Sequence, residues 1–442
     1  MRGLALVTLD RLIAREIFDS AGHPTLELEV TTGTGVRGLA TVAAGGSVGQ
    51  HEARELRDGE PNRHGGRGVR KAVALVAAEV APALRGCDLG DQGGIDAALI
   101  ALDGTADRSR LGANTMLAVS LASARATAGD DGVPLYVHLH RLWQVHLGGP
   151  DLPSLPLPMA HMISGATRAG RTLDFQDVLM IPVGARDWAE AMAMVLTVYH
   201  ALGEILHRRG HPAHLVCSHG GYGPHLHSNA QAVDHLLEAA LSVGLDVGRD
   251  VAVAIDVAAS HVFNPATQTY TLAIGQEPHD PAAMIAMLEH WTRQYPIVSI
   301  EDGLGDHDWS GWTALTARLG PTTQIVGDDL FATRIDRMGL GQEYAAANAV
   351  MIKPGQVGTL TETFQALALA RRQGRPAIIA GRSWETDDTA IADLAVATAA
   401  RQIKIGGVAR SERMAKYNRL LRIEEELGIN PPYAGRAALA AG

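Results

Sequence analysis

Between residues 251 and 404 the chain repeats one pattern: a short apolar run that closes on an acid or a base, then turn residues, then a longer Ala- and Leu-rich stretch of helical character. The runs are Val251–Asp256, Ile297–Glu301, Gln324–Asp328, Ala349–Lys353, Ala377–Arg382 and, more weakly, Arg401–Lys404. Their ends step by 45, 27, 25, 29 and 22 residues, the length of a strand, a loop and a returning helix. Six βα units in succession favour a closed parallel barrel over an open sheet, and no G-x-G-x-x-G fingerprint follows any of them.

The chain before this repeat reads differently. Residues 25–42 alternate with period two on either side of Gly-Thr-Gly, the pattern of a hairpin, and two helices are expected over Val69–Leu84 and Asn114–Ala128. Gly148–Pro158 carries four prolines and two glycines in eleven residues and reads as a linker. The expected fold class is α/β, with an α+β module over residues 1–147 and a barrel over 148–442 that ends in a small apolar tail, Ala437–Gly442, expected to fray.

Composition narrows the function. Asp and Glu total 48 against 38 Lys and Arg, so a net charge of −10 gives no general attraction to nucleic acid or to an anionic membrane. No apolar stretch has the uninterrupted length of a membrane span, since Val251–Ala259 is broken by Asp256. Two cysteines, Cys87 and Cys217, make no disulfide framework, and Met1–Arg11 lacks a signal-peptide core, so a cytoplasmic location is expected. Basic charge is almost wholly arginine; lysine occurs only at 71, 353, 404 and 416. Arginine cannot give up its proton whereas a desolvated lysine can, which makes these four positions the first places to look for proton chemistry.

In a βα barrel the catalytic residues project from the C-terminal ends of the strands. The six run-ends are Asp256, Glu301, Asp328, Lys353, Arg382 and Lys404. Three carboxylates converging on one mouth repel unless a cation lies between them, and an all-oxygen set suits Mg²⁺ better than zinc or copper. With Arg382 on a second anionic group and a lysine taking a proton, the set fits a small anionic substrate. Any single run-end charge could be an ordinary solvated terminus; six in register argue otherwise.

The sequence resembles the enolase family over nearly its whole length. The resemblance starts at Ala14-Arg-Glu-Ile-Phe-Asp-Ser-Ala-Gly-His-Pro-Thr, passes through Glu55-Leu-Arg-Asp-Gly and Leu111-Gly-Ala-Asn-Thr-Met-Leu-Ala-Val-Ser-Leu-Ala, and continues at Ile255-Asp-Val-Ala-Ala-Ser. It is densest at Ser299-Ile-Glu-Asp-Gly-Leu, Val326-Gly-Asp-Asp-Leu-Phe, Lys353 with Gly358-Thr-Leu-Thr-Glu-Thr, and Ser411-Glu-Arg-Met-Ala-Lys-Tyr-Asn. The resemblance implies a small α+β capping domain, a modified eight-fold α/β barrel of TIM type, and assembly as a homodimer or higher homo-oligomer. It makes Asp256, Glu301 and Asp328 ligands of a tightly bound Mg²⁺, with Ser47 helping to hold a second that arrives with substrate. Lys353 matches the base that removes the alpha proton, Lys404 its cationic partner, and Arg382 with Ser383 the phosphate-binding pair. Cations and Lys404 near Lys353 are expected to favour its neutral form.

The departures from the family cluster in the site. Where it has Gly-Asp-Glu-Gly-Gly, whose glutamate assists departure of the β-hydroxyl, this chain has Cys217-Ser218-His219-Gly220-Gly221. A Gln-Glu pair reads Gln176-Asp177, the Gly-Ser-His-Ala-Gly loop reads Ala166-Thr167-Arg168-Ala169-Gly170, and Ser-His-Arg-Ser-Gly reads Ala380-Gly381-Arg382-Ser383-Trp384. Decay of an unused site would strike the metal carboxylates and Lys353 as readily as the loops, so altered specificity is the better account. His219 is the expected acid, with Asp177 as the alternative; a solvated decoration, or a zinc site with Cys217, is the bland reading. Arg168 adds a fixed cation, Gly381 is expected to leave room beside Arg382, and Trp384 reads as packing. The expected activity is a Mg²⁺-dependent dehydratase acting on a 2-phosphoglycerate-like substrate, in particular a carboxyphosphono analogue giving carboxyphosphonoenolpyruvate, as in phosphonate antibiotic pathways. Ordinary 2-phosphoglycerate dehydration and a non-catalytic binding protein are the alternatives.

Overall fold

The computed structural model describes residues 6–46, 48–147, 152–166, 173–272 and 277–440. Three strands, β1 (Leu9–Phe18), β2 (Pro24–Thr32) and β3 (Arg37–Thr41), form an antiparallel sheet in that order. The hairpin is the one the alternation announces. β1 was hidden because its outward positions are charged: Arg15 pairs with Glu27 and Glu29 of β2, each at 2.9 Å, so the strand carries ion pairs where an apolar period would be sought. The inner face of the sheet lies on the helix Ala113–Asp130, and at Gly38 the backbones come so close that a Cβ would fall 2.1 Å from the Ala122 carbonyl oxygen. The helix expected over Val69–Leu84 is interrupted: Arg70–Leu75 passes into a π turn, Val76–Val80, before a last turn at Ala81–Ala83.

The barrel has eight strands. β4 (Leu157–Ser164), β5 (Asp177–Ile181) and β6 (Ala252–Asp256) precede a small three-stranded sheet made of β7 (Phe263–Asn264), β8 (Thr269–Thr271) and β9 (Pro278–His279). Then follow β10 (Ile297–Glu301), β11 (Gln324–Gly327), β12 (Ala349–Ile352), β13 (Ala377–Ala380) and β14 (Gln402–Gly406), and β14 closes on β4. The six expected strands are present, and the α/β barrel is the fold. It is not all-parallel: β5 runs antiparallel to both β4 and β6. β4 and β5 escaped notice because prolines crowd the entry to one and β5 breaks the βα rhythm.

Strand parity decides what reaches the cavity. Residues 157 and 159 of β4, 179 and 181 of β5, 252 and 254 of β6, 326 of β11, 349 and 351 of β12, and 378 and 380 of β13 make one buried cluster inside the barrel. Their neighbours Val253, Ile255, Val350, Ile352 and Ile379 face the surrounding helices. Ala438 and Leu439 also belong to the inner cluster, and Ala440 N donates to Gln324 Oε1 at 3.2 Å, so the described part of the tail expected to fray, as far as Ala440, is docked on the floor of the barrel. The helix Trp188–Arg208 is long and apolar enough to cross a membrane by length and composition alone, but it packs on β4 and on the helix Asn229–Ser242, with Val195, Val198, Leu202 and Leu206 buried.

Candidate active site

Continuing the inward parity by one step places the functional side chains. Asp256 follows 252 and 254, Asp328 follows 324 and 326, Lys353 follows 349 and 351, and Arg382 follows 378 and 380, all lining one cleft at the barrel mouth. Lys404 sits within β14 instead of ending it, since the strand runs on to Gly406, yet its side chain reaches the same cleft. Its Nζ donates to Asp256 Oδ2 at 2.7 Å and Glu301 Oε2 at 2.6 Å, while Lys353 Nζ pairs with Asp328 Oδ2.

These pairs set the charge states. Burial, then repulsion from Asp256, pushes the Glu301 carboxyl well up against the pull of Lys404. Burial would also raise Asp328, but the Lys353 ammonium together with Lys404 and Arg382 outweighs it and holds that carboxyl below its ordinary value. The expectation that Lys353 is held neutral is not met by the protein groups alone. Burial is the largest single influence and pulls its pKa down, but the Asp328 and Glu301 carboxylates together outweigh it, and the net shift is upward. Asp302 and Asp329 directly follow two of the strand-end acids. Asp302 accepts from the backbone N–H of Asp328 and Asp329 at 3.0 and 2.9 Å, and burial with repulsion from Asp328 pushes Asp329 up to about 7. So much carboxylate in a buried space, all oxygen donors, is a fitting site for a divalent cation.

The arginine-rich end of the cleft is built around Arg382. Its guanidinium donates to Glu52 Oε2 of the N-terminal domain at 2.6 Å, and burial is outweighed by that carboxylate together with Glu55 and Asp328, so its pKa is raised. Its backbone N–H donates to Glu385 Oε1 at 2.7 Å, and its carbonyl and that of Ser383 accept from the Arg413 guanidinium at 2.8 and 2.7 Å. Ser383 and Gly381 line the cleft, but the room expected at Gly381 is not there. A Cβ on Gly381 would lie 2.9 Å from Glu385 Oε1 and 3.3 Å from Arg413 Nη1: the space is filled by two side chains already in place. Trp384 joins the domains, bridging to Ala44 through the backbone and stacking on His23 at 4.3 Å between centroids.

His219 is buried, 6% exposed, which removes the decorative reading. A tight turn holds it: Cys217 N donates to Gly221 O, Gly220 N donates to Cys217 O, and Gly407 N donates to His219 O at 2.6 Å. Gly220, at φ +87°, and Gly407 allow that contact, since a Cβ on Gly407 would meet Gly220 at 2.6 Å. His219 Nδ1 lies 3.8 Å from Asp177 Oδ2. Because β5 is antiparallel, its first residue, Asp177, arrives at the mouth, where its Oδ1 accepts from Ser164 Oγ at 2.6 Å. Burial would raise the Asp177 carboxyl, but charge and hydrogen bonds from His161 and His219 hold it well below the ordinary range. Gln176 Nε2 donates to Asp256 Oδ2 at 2.8 Å, tying this wall to the acidic cluster. The ligand atoms that cluster with His219 belong to His161 and Asp177, not to Cys217 as the zinc reading had it.

Ser47 and Arg168 lie outside the described residues. Sequence reasoning missed Glu52, His161, Asp302, Asp329, Glu385 and Arg413, all of them within or against the cleft. The Glu-Asp and Asp-Asp doublets at 301–302 and 328–329 carried a signal for two of them; Glu52 lies in an irregular loop with no period to follow. Of the four lysines, Lys71 and Lys416 serve structure. Lys71 Nζ donates to the Asp58 carbonyl at 2.6 Å and Lys416 Nζ pairs with Glu385 at 2.8 Å. Comparison with known families gives two matches, the enolase N-terminal domain over residues 9–139 and the enolase C-terminal TIM barrel domain over residues 153–441.

Proposed function

The chain belongs to the enolase family, and from that premise we propose that it is a Mg²⁺-dependent hydro-lyase acting on a 2-phosphoglycerate-like anion. The observation that carries this reading is the pairing of a complete proton-abstraction side with a rebuilt proton-donating side: Lys353, Lys404 and three carboxylates on one wall, His219 against Asp177 on another. Asp256, Glu301 and Asp328 would hold Mg²⁺, with Ser47 toward a second ion. When bound, the metal supplies positive charge that competes with Lys353 for Asp328 and offsets the charge gathering on the substrate carboxylate. Lys353 Nζ takes the alpha proton and Lys404 keeps positive charge beside the developing anion. His219 gives a proton to the β-hydroxyl, which leaves as water; Asp177, one methylene shorter than a glutamate, holds the imidazolium. Arg382 and Ser383 take the phosphorus end and Gln176 orients the metal-side carboxylate.

For the substrate we infer a carboxyphosphono analogue of 2-phosphoglycerate, whose product is carboxyphosphonoenolpyruvate. Arg168 supports this reading as a permanent, fork-shaped cation in a substrate-closing loop. Plain 2-phosphoglycerate is the second reading, favoured by the filled space at Gly381. Steady-state kinetics on both compounds, with and without chelator, tests the assignment. The analogue should give the higher kcat/KM and chelation should end turnover. Preference for 2-phosphoglycerate makes the protein an enolase with unusual loops, and turnover in excess chelator removes the metal.

A further inference from the structure

We propose that His161 is a positioning residue for proton donation, fixing Asp177 as the anionic partner of His219; this rests on the reading of His219 as the acid. His161 is the third inward residue of β4, after Leu157 and Met159, and is 3% exposed. Its Nε2 lies 3.3 Å from Asp177 Oδ2, the same oxygen that His219 Nδ1 approaches to 3.8 Å. The two rings meet edge to face, with centroids 5.3 Å apart and planes at 76°. Ser164 Oγ occupies the other carboxylate oxygen at 2.6 Å.

Ser164 Oγ holds Oδ1 by a hydrogen bond and the His161 imidazole stands at ion-pair distance, 3.3 Å, from Oδ2, so the two together restrain the face that Asp177 offers to His219 before substrate enters. With Nδ1 of His219 turned toward that oxygen at 3.8 Å, the proton offered to a leaving hydroxyl is the one on Nε2, across the ring, and the negative charge on the Nδ1 side favours the imidazolium that carries it. His161 supplies no proton in this scheme. It acts only through Asp177, from a strand of the barrel and not from a loop, which makes its geometry as rigid as the sheet. The same three side chains bring ligand atoms within 4.8 Å of one another, and the hydrogen bond from Ser164 gives one carboxylate oxygen a proton donor.

The test uses the full chain with Mg²⁺ and, as probe, the faster of 2-phosphoglycerate and its carboxyphosphono analogue. Alpha-proton exchange into D₂O and dehydration are measured in parallel. His161→Leu should lower kcat for dehydration by about tenfold, the low end of the range for general acid catalysis, with KM and exchange unchanged. His161→Gln, whose amide can still donate to Asp177, should recover most of the loss, while the shorter His161→Asn should not; that pair keeps the test alive if the leucine variant fails to fold. In a His219→Ala background, His161→Leu should add nothing. Exchange and dehydration falling together, no loss, or additive losses in the double variant would overturn the positioning role. If His219→Ala alone costs less than about tenfold, it is the acid assignment that fails. If His219→Ala costs more and His161→Leu costs nothing, only the role of His161 fails.

Discussion

Replacing Gly381 by alanine adds one methyl group at the position where the reading of substrate specificity and the packing of the site disagree most sharply. The new Cβ would start 2.9 Å from Glu385 Oε1 and 3.3 Å from Arg413 Nη1. Restoring ordinary contact requires the carboxylate to retreat by roughly 0.5 Å or more. It has little freedom to do so, because Oε2 is held by Lys416 at 2.8 Å and Oε1 by the Arg382 N–H at 2.7 Å, all in a buried setting. The bond that gives way is the one to Arg382, and a buried hydrogen bond to a charged group is worth about 1.5–3 kcal/mol. Gly381→Ala should therefore lower the free energy of unfolding by about 1–3 kcal/mol, the usual cost of overpacking, as read by urea denaturation. The shift of Arg382 should reduce kcat/KM for 2-phosphoglycerate and for the carboxyphosphono analogue by similar factors. If position 381 were open space that the larger substrate fills, alanine would leave stability unchanged and penalise only that substrate. That outcome would refute the packing argument and restore the glycine as a specificity determinant.

Lys353→Arg keeps the charge facing Asp328 but has no proton to exchange at accessible pH, so alpha-proton exchange should vanish while the thermal transition stays in place; exchange at the wild-type rate would put the base elsewhere. Asp388 pins the N-terminal domain to the barrel through Arg125 and the Thr41 N–H, the latter at 3.0 Å, and although burial would raise its carboxyl, Arg125 together with the Ala390 and Thr41 N–H groups outweighs burial and holds it below its ordinary value. A carboxyl depressed in the folded state contributes stability above its unfolded pKa of about 3.9 and loses it as pH falls below that value. Asp388→Asn should cost about 3 kcal/mol at pH 7, as breaking a buried pair does, and should lose less further stability than the wild type between neutral and acid pH; parallel acid titrations of the two proteins would contradict this.

How much of the site could be read in advance depended on whether a residue sat on a regular strand that the sequence reveals. Asp256, Glu301, Asp328, Lys353 and Arg382 were legible because each closes an apolar run of β-branched and small residues, and the barrel carries such ends to one mouth. His161 obeys the same parity from β4, but Pro153, Pro156 and Pro158 make that stretch look like a linker, and an inward histidine in an unrecognised strand gives no signal. Asp177 opens a strand instead of ending one, so a rule about C-terminal ends passes over it; only the resemblance to the enolase family brought it forward. The filled space at Gly381 was beyond reach for another reason. A sequence shows which side chain is gone, and not that Glu385 and Arg413 have moved into the volume.

The two sides of the cleft differ in how freely they can change. On the abstraction side, each charge is the counter-charge of another: Lys404 serves Asp256 and Glu301 together, Lys353 serves Asp328, and the residues come from five separate strands. Losing any one leaves a partner buried and uncompensated, at a cost of several kcal/mol. On the donating side, one anion, Asp177, serves two imidazoles, one from β4 and one from a turn seated on Gly407. That turn can carry a different side chain without disturbing a barrel hydrogen bond, provided Asp177 stays satisfied, and His161 and Ser164 both hold it from β4. A scaffold arranged in this way keeps Lys353, Lys404 and the strand-end carboxylates under strong physical constraint while His219 is held by a separate, self-contained group. The departures at 177 and 217–219 fall where the barrel permits them, at the first residue of a strand and in a turn outside the strands, and they face each other, with His219 Nδ1 3.8 Å from Asp177 Oδ2.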